Sequence, residues 1–258
     1  MNILCLHGRN QNGTVFRKQL RATMLSILEE FPASSFDFVD GPFKSPELSA
    51  DGEITYNFFK SPAKADMAIA REWLKQKLDV DGPYDGVIGF SDGGTLVSNF
   101  LHHNQWYSQE ELEPFKFAIF ISACVSRSVL EDHGAHDAIA IVQEMELRAR
   151  DGLGPSPEQV RERARATFDS DNCYGLNLNK VPLEIKIRIP TVHVFGTSDP
   201  CFPASVHLIG LCDTYIRYIH QHPGGHVVPQ GRQEADALRP LLVSCLRRAS
   251  WPGQSQLR

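Results

Sequence analysis

The chain predicts an α/β fold, a mostly parallel sheet with helices on both faces and a helical, lid-like insertion. Three observations lead there. Short apolar runs alternate with amphipathic stretches along most of the sequence, the pattern of βαβ units. The segment Tyr84-Asp85-Gly86-Val87-Ile88-Gly89-Phe90-Ser91-Asp92-Gly93-Gly94 joins one such run to a helical stretch through a glycine-flanked serine. The stretch 126–188 does not fit the alternation and is expected to be a lid or cap inserted into a single 1–258 domain.

Taken in order, Asn2 to Leu6 reads as an opening strand that runs into the polar loop His7 to Gly13. Val15 to Phe31 is expected as one helix, with Leu20, Met24, Ile27 and Leu28 on a stripe. Ser35 to Val39 is a strand stopped by Asp40-Gly41-Pro42, and Phe43 to Tyr56, rich in turn formers, is expected to be loop. Ala65 to Leu78 is amphipathic. The strand ending at Phe90 and the helix from Thr95 follow, then a buried strand over Phe115 to Ser122. Within the insertion, His136 to Arg148 places Ile139, Val142 and Met145 at helical spacing, a stripe that either lines a cleft or packs on the body. Ser156-Pro157-Glu158-Gln159 has the composition of a capping box. Arg161, Arg163 and Arg165 beyond it are expected on a solvated helix face. Strands over Thr191 to Phe195 and Tyr215 to His220 alternate with helices over Pro203 to Leu211 and Gln233 to Arg247, before a polar tail expected to be loose.

In a parallel sheet, functional side chains gather at the carboxyl ends of the strands. Gly89-x-Ser91-x-Gly93 sits at such an end and has the form of a nucleophile elbow, in which the serine occupies a strained turn and flanking side chains would collide with the strand and helix. Asp199 follows a later strand in Phe195-Gly196-Thr197-Ser198-Asp199. His226 follows the last strand, after the pair Gly224-Gly225. The order Ser91, Asp199, His226 is that of the α/β-hydrolase fold. A serine hydroxyl needs a base within hydrogen-bond reach, and the base needs an anion that fixes its tautomer. His220, inside the strand, and His222, before a proline, compete with His226 for the base. Asp213, which enters a strand from the opposite side of the sheet, competes with Asp199 for the acid. Oxyanion donors are expected from the backbone N–H groups of Asp92 and Arg9, with Asn10 or Gln11 as alternatives to Arg9. His7 is expected to be structural, and Cys124 and Cys201 to be small packing residues.

Five pieces together resemble the FSH-type serine hydrolase family. They are Leu4-Cys5-Leu6-His7-Gly8, Asp40-Gly41-Pro42, the run from Tyr84 to Gly93, the run from Ile189 to Asp199, and Gly224-Gly225-His226-x-Val228-Pro229. The resemblance covers Met1 to Val125 and Ile189 to Leu246. It implies a small α/β-hydrolase with Ser91, Asp199 and His226 as its triad, and it implies esterases or thiohydrolases that release polyketide chains. Two departures stand out. Position 92 is Asp92, where the family often has glutamine or glutamate, and 126–188 has no counterpart in the family's shorter core.

The reading that follows is a serine hydrolase that works through an acyl-enzyme. The favoured form is a thioesterase that releases an acyl or polyketide chain from a carrier protein, with the acyl carrier domain of a polyketide synthase as partner. A carboxylesterase for small lipophilic esters is the alternative, and a non-catalytic ligand-binding protein the alternative from another class. A formal net charge of -5 argues against a nucleic-acid surface. The apolar runs are too short to span a bilayer, and a strand beginning directly after Met1 leaves no room for a signal peptide. Six cysteines without CxxC spacing suggest free thiols in the cytoplasm. No metal-ligand spacing and no phosphate-binding glycine motif occurs, so neither metal nor cofactor is expected.

Overall fold

A computed structural model describes residues 1–107, 113–165, 168, 172–177, 181 and 185–250. Six strands form one sheet: β1 (Asn2–Leu6), β2 (Ser35–Val39), β5 (Gly86–Phe90), β6 (Phe117–Ile121), β7 (Thr191–Gly196) and β8 (Arg217–His222). Their order is β2-β1-β5-β6-β7-β8, and every neighbouring pair is parallel. The sheet is thus the one expected from the alternation.

Strand periodicity assigns alternate residues to opposite faces. Leu4, Leu6, Val87, Ala118 and Phe120 join a core with Met67 and Leu74 of α3 (Lys64–Asp81), Leu96 and Val97 of α4 (Asp92–Tyr107), and Phe202 and Val206 of α8 (Phe202–Gly210). Ile3, Cys5, Ile88, Ile119, Val192 and Val194 face the other way, against Phe16 of α1 (Gly13–Gln19), Ile27 of α2 (Arg21–Glu30) and Leu242 of α9 (Arg232–Ala249). Burying a side chain of this size contributes about 1.5–3 kcal/mol, so a one-residue slip in any strand would be costly.

Two local expectations change. Val15 to Phe31 is not one helix. The backbone bends at Leu20, which ends α1 and opens α2, while Leu20 N–H still donates to Phe16 O at 2.8 Å. The bend lets Phe16, Leu20 and Ile27 all stay buried. Phe43 to Tyr56 is not loop: β3 (Phe43–Leu48) and β4 (Ile54–Asn57) pair as an antiparallel ribbon. Its polar sequence lacks a strand pattern, and partners distant in sequence hold it. Tyr56 N–H donates to Gln11 O at 2.7 Å, and Asn10 Nδ2 donates to Glu47 Oε2 at 2.8 Å.

Between β6 and β7 lie α5 (Arg127–Asp132), α6 (His136–Arg150) and α7 (Pro157–Arg163). The capping box forms as expected: Gln159 N–H donates to Ser156 Oγ at 3.2 Å, and Ser156 N–H donates to Gln159 Oε1 at 2.8 Å. The arginine run departs from expectation. Arg161 and Arg165 are exposed, whereas Arg163 is buried at 7% exposure. Successive helical residues turn by about 100°, so positions two apart point to opposite faces while positions four apart share one. Among the described residues no helix is long and apolar enough to cross a membrane. The polar tail beyond Ser250 lies outside the described residues, as do parts of 126–188.

Candidate active site

The elbow is built by two glycines and one strained serine. Ser91 has φ 51°, a left-handed conformation that costs a non-glycine residue of order 1–3 kcal/mol unless its surroundings impose it. They do. A Cβ at Gly93 would run into the carbonyl oxygens of Leu6 and His7, and one at Gly89 into the backbone of Gly94. Close contact between β1, β5 and α4 therefore leaves one path for the chain. Ser91 N–H donates to Ile121 O at 2.9 Å and Gly93 N–H to His7 O at 3.1 Å, which hangs the turn between its two neighbouring strands.

The other two predicted residues arrive from the loops after β7 and β8. Those loops are tied together, with Thr197 N–H donating to His222 O at 2.9 Å and Ser198 N–H to Gly224 O at 3.0 Å. Asp199 is fully buried. Its Oδ2 lies 2.9 Å from His226 Nδ1, and its Oδ1 accepts from Cys201 N–H at 2.7 Å. On the far side of the imidazole, Nε2 lies 2.8 Å from Ser91 Oγ. Residues 91, 199 and 226 thus meet in one hydrogen-bonded chain.

The competitors are engaged elsewhere. His220 Nε2 faces Glu234 Oε2 at 3.0 Å, and His222 Nδ1 accepts from Gly224 N–H at 3.2 Å. Asp213 accepts from Tyr215 N–H at 2.9 Å, ahead of β8 rather than beyond its carboxyl end. His7 is structural, as expected: Nε2 accepts from Gly41 N–H at 3.1 Å and Nδ1–H donates to Gly8 O at 2.7 Å. Burial lowers its pKa and keeps the ring neutral, with the Gly8 hydrogen bond and Asp40 opposing.

The loop after β1 reaches the serine. A Cβ at Gly8 would lie 3.3 Å from Ser91 Cβ, and Arg9 is the next residue. Among the described residues the N–H groups of Arg9 and Asp92 have no acceptor, and Asp92 is the first residue of α4, where helical N–H groups point outward. The Asp92 carboxylate is not a free anion. Its Oδ2 lies 2.8 Å from Arg9 Nη2, an ion pair whose contact is off the N–H axis. Burial raises the Asp92 pKa, against the opposing pull of Arg9 and then His226.

A cleft of about 690 Å³ opens over Ser91 and His226. Leu130, Ile139, Val142 and Met145 line it, and its charged lining is mixed, with Arg9, Lys60 and Arg127 beside Asp92 and Glu146. The α6 stripe therefore does both things open to it, since Ile139 also joins the main core. Cys124 and Cys201 line the same cleft rather than simply packing. The Cys201 pKa is lowered, first by hydrogen bonding with Cys124 and further by His226, against burial. For His226, burial lowers the pKa, but the hydrogen bonds to Asp199 and Cys201 outweigh it and the net shift is upward. Ligand-type atoms of Asp199, Cys201 and His226 all lie within 4.8 Å of one another, a closeness that the Asp199–His226 bond and the adjacent loop explain.

Sequence spacing gave no sign of three contributors. Thr95 Oγ1 donates to Ser91 O at 3.0 Å and accepts from Cys124 N–H at 3.2 Å. Cys201 touches the site twice, its N–H donating to Asp199 Oδ1 and its thiol helping to raise the pKa of His226. Arg163 Nη1 donates to Asp199 O at 2.8 Å, and only the opposed helical phase of Arg163 within the run 161–165 hinted at an inward side chain.

Comparison with known proteins bears on the family and the fold. Esterase alnB of Emericella nidulans is 26% identical, over 91% of this chain and 93% of its own length. Thioesterase FSL2 of Gibberella zeae is 25% identical, over 94% and 91%. Among solved structures, acyl-protein thioesterase 2 of Zea mays aligns with TM-score 0.50 at 15% identity, covering 95% of this chain and 93% of that one. A carboxylesterase from Mesorhizobium loti aligns with TM-score 0.51 at 13% identity, covering 94% and 88%. These likenesses show the α/β-hydrolase fold. The Serine hydrolase (FSH1) family matches residues 1–238, a span that takes in 126–188, and the chain belongs to that family of serine hydrolases.

Proposed function

We propose that the protein is a thioesterase that releases an acyl or polyketide chain from a carrier protein, through an acyl-enzyme on Ser91. The observation that carries this reading is the chain Ser91 Oγ, His226 Nε2, His226 Nδ1, Asp199 Oδ2, with links of 2.8 and 2.9 Å, at the foot of a cleft walled by aliphatic side chains. Ser91 Oγ attacks the thioester carbonyl while its proton passes to His226 Nε2. Asp199 holds the imidazole with Nδ1–H toward the carboxylate and stabilises the imidazolium. The tetrahedral oxyanion accepts from the N–H groups of Arg9 and Asp92. His226 then protonates the departing thiolate, and a water activated by the same imidazole hydrolyses the acyl-enzyme.

Residues 126–188 serve as a lid within a single 1–258 domain, with Ile139, Val142 and Met145 against the acyl chain. Lys60, exposed at the rim, suits a negatively charged carrier at the mouth. The six cysteines, all free, fit a cytoplasmic setting. Support for a thioester comes from FSL2, named a thioesterase; alnB, named an esterase, supports the second reading, a carboxylesterase for small lipophilic esters. Turnover against paired oxygen esters and thioesters of graded acyl length, with Ser91→Ala as control, separates the two. Higher kcat/KM on long-chain thioesters is expected, and preference for short oxygen esters would replace the thioesterase reading. A non-catalytic binder would give no product in excess of enzyme.

A further inference from the structure

Three arginines of like chemistry at 161, 163 and 165 meet different fates, and the middle one is withdrawn from water. Burying a guanidinium is unfavourable unless its N–H groups find acceptors. Arg163 finds them on the loop after β7. Its Nη1 donates to Asp199 O at 2.8 Å and to Thr197 O at 3.3 Å. The guanidinium carbon lies 5.0 Å from the centre of the Phe202 ring, which closes one side. The backbone of Arg163 is tied as well, with Gln221 Nε2 of β8 donating to its carbonyl at 3.2 Å.

We infer that Arg163 is a positioning residue for Asp199, its guanidinium fixing the main chain on which the carboxylate is mounted and so coupling the end of α7 to the acid–base pair. The inference rests on the proposed role of Asp199. The Asp199 carboxylate reaches His226 only if its own backbone keeps one orientation. Among the described residues the main-chain oxygen of Asp199 otherwise receives only the longer Phe202 N–H bond, at 3.2 Å. Arg163 supplies the shorter, charge-assisted one from outside the loop. Segment 126–188 is on this account more than a wall of the cleft, because its last described helix carries a residue that holds the site in register.

The test compares Arg163→Gln and Arg163→Lys with the full-length wild-type chain and with Ser91→Ala. A lost orientation of this kind lowers kcat by roughly 10- to 100-fold. The expected result is a fall of that size in Arg163→Gln with KM essentially unchanged. Arg163→Lys, which keeps the charge and one donor, should recover part of it. Proton NMR supplies a readout that loss of packing alone would not move. The far-downfield signal of the His226 Nδ1–H proton, present at low pH in wild type, should broaden or vanish in Arg163→Gln while the rest of the folded spectrum persists. If Arg163→Gln does not fold, Arg163→Lys is read in the same two ways. A folded variant with wild-type kcat and an unchanged downfield proton overturns the inference, as does a loss of activity fully matched by the unfolded fraction. If Ser91→Ala stays active, the functional reading fails instead, and the NMR result still decides whether Arg163 orders the Asp199–His226 pair.

Discussion

Arg9, in the loop after β1, and Asp92, the residue after Ser91, are joined through their side chains, Nη2 to Oδ2 at 2.8 Å. The pair binds the loop after β1 to the first turn of α4, so the two oxyanion donors proposed here share one mechanical link. It also neutralises an acid that would otherwise face a developing negative charge. Arg9→Met should therefore leave the half-buried Asp92 without its cation and let the loop drift. A fall in kcat between about tenfold and a hundredfold is expected from the misplaced donor. Steady-state kinetics on Arg9→Met, and on Arg9→Met combined with Asp92→Asn, check this: the second change should restore part of the loss.

The upward shift of His226 makes a claim about pH. The general base works unprotonated, so whatever stabilises the imidazolium moves the acidic limb of kcat/KM upward. The limb should lie above pH 6.5, the ordinary histidine value. Replacing Cys201 by alanine removes one of the groups that raise His226 and should shift the limb to lower pH, while the Cys201 N–H bond to Asp199 survives. An unshifted limb would show that the thiol has no hold on the imidazole. The same linkage acts on stability. A histidine with a raised folded pKa adds stability that is fully present below pH 6.5 and is lost as pH rises through the folded value.

The elbow glycines predict a stability effect separable from chemistry. Gly93→Ala forces a methyl against the Leu6 and His7 carbonyl oxygens, both rigid backbone. Overpacking of this kind costs about 1–3 kcal/mol. Denaturant unfolding should show the midpoint lowered with an unchanged slope.

Val142 and Met145 face the cleft from α6. Met145→Trp should shorten the usable cleft, raising KM for long acyl chains while sparing short ones. Equal effects at every chain length would remove α6 from the acyl wall.

Much of the fold is legible in the sequence. Residues such as Ile3, Leu4 and Val87 declare a parallel sheet because both faces are buried, and the meeting of Ser91, Asp199 and His226 is foreshadowed because each follows a strand. What could not be read depends on contacts distant in sequence. The β3–β4 ribbon is polar and held by Gln11 and Asn10. Arg163 reads as part of a solvated face by composition, and only its helical phase sets it apart from Arg161 and Arg165. The Arg9–Asp92 pair joins the loop after β1 to the first turn of α4, a contact no spacing rule reports.

The central claim is that Ser91 carries the acyl group. Rapid-quench intact-mass analysis during turnover of an acyl thioester tests it most directly. One acyl adduct per chain, mapped to Ser91 and absent in Ser91→Ala, is predicted, together with loss of turnover in that variant. Undiminished turnover by Ser91→Ala, or an adduct on Cys201 instead, would contradict it.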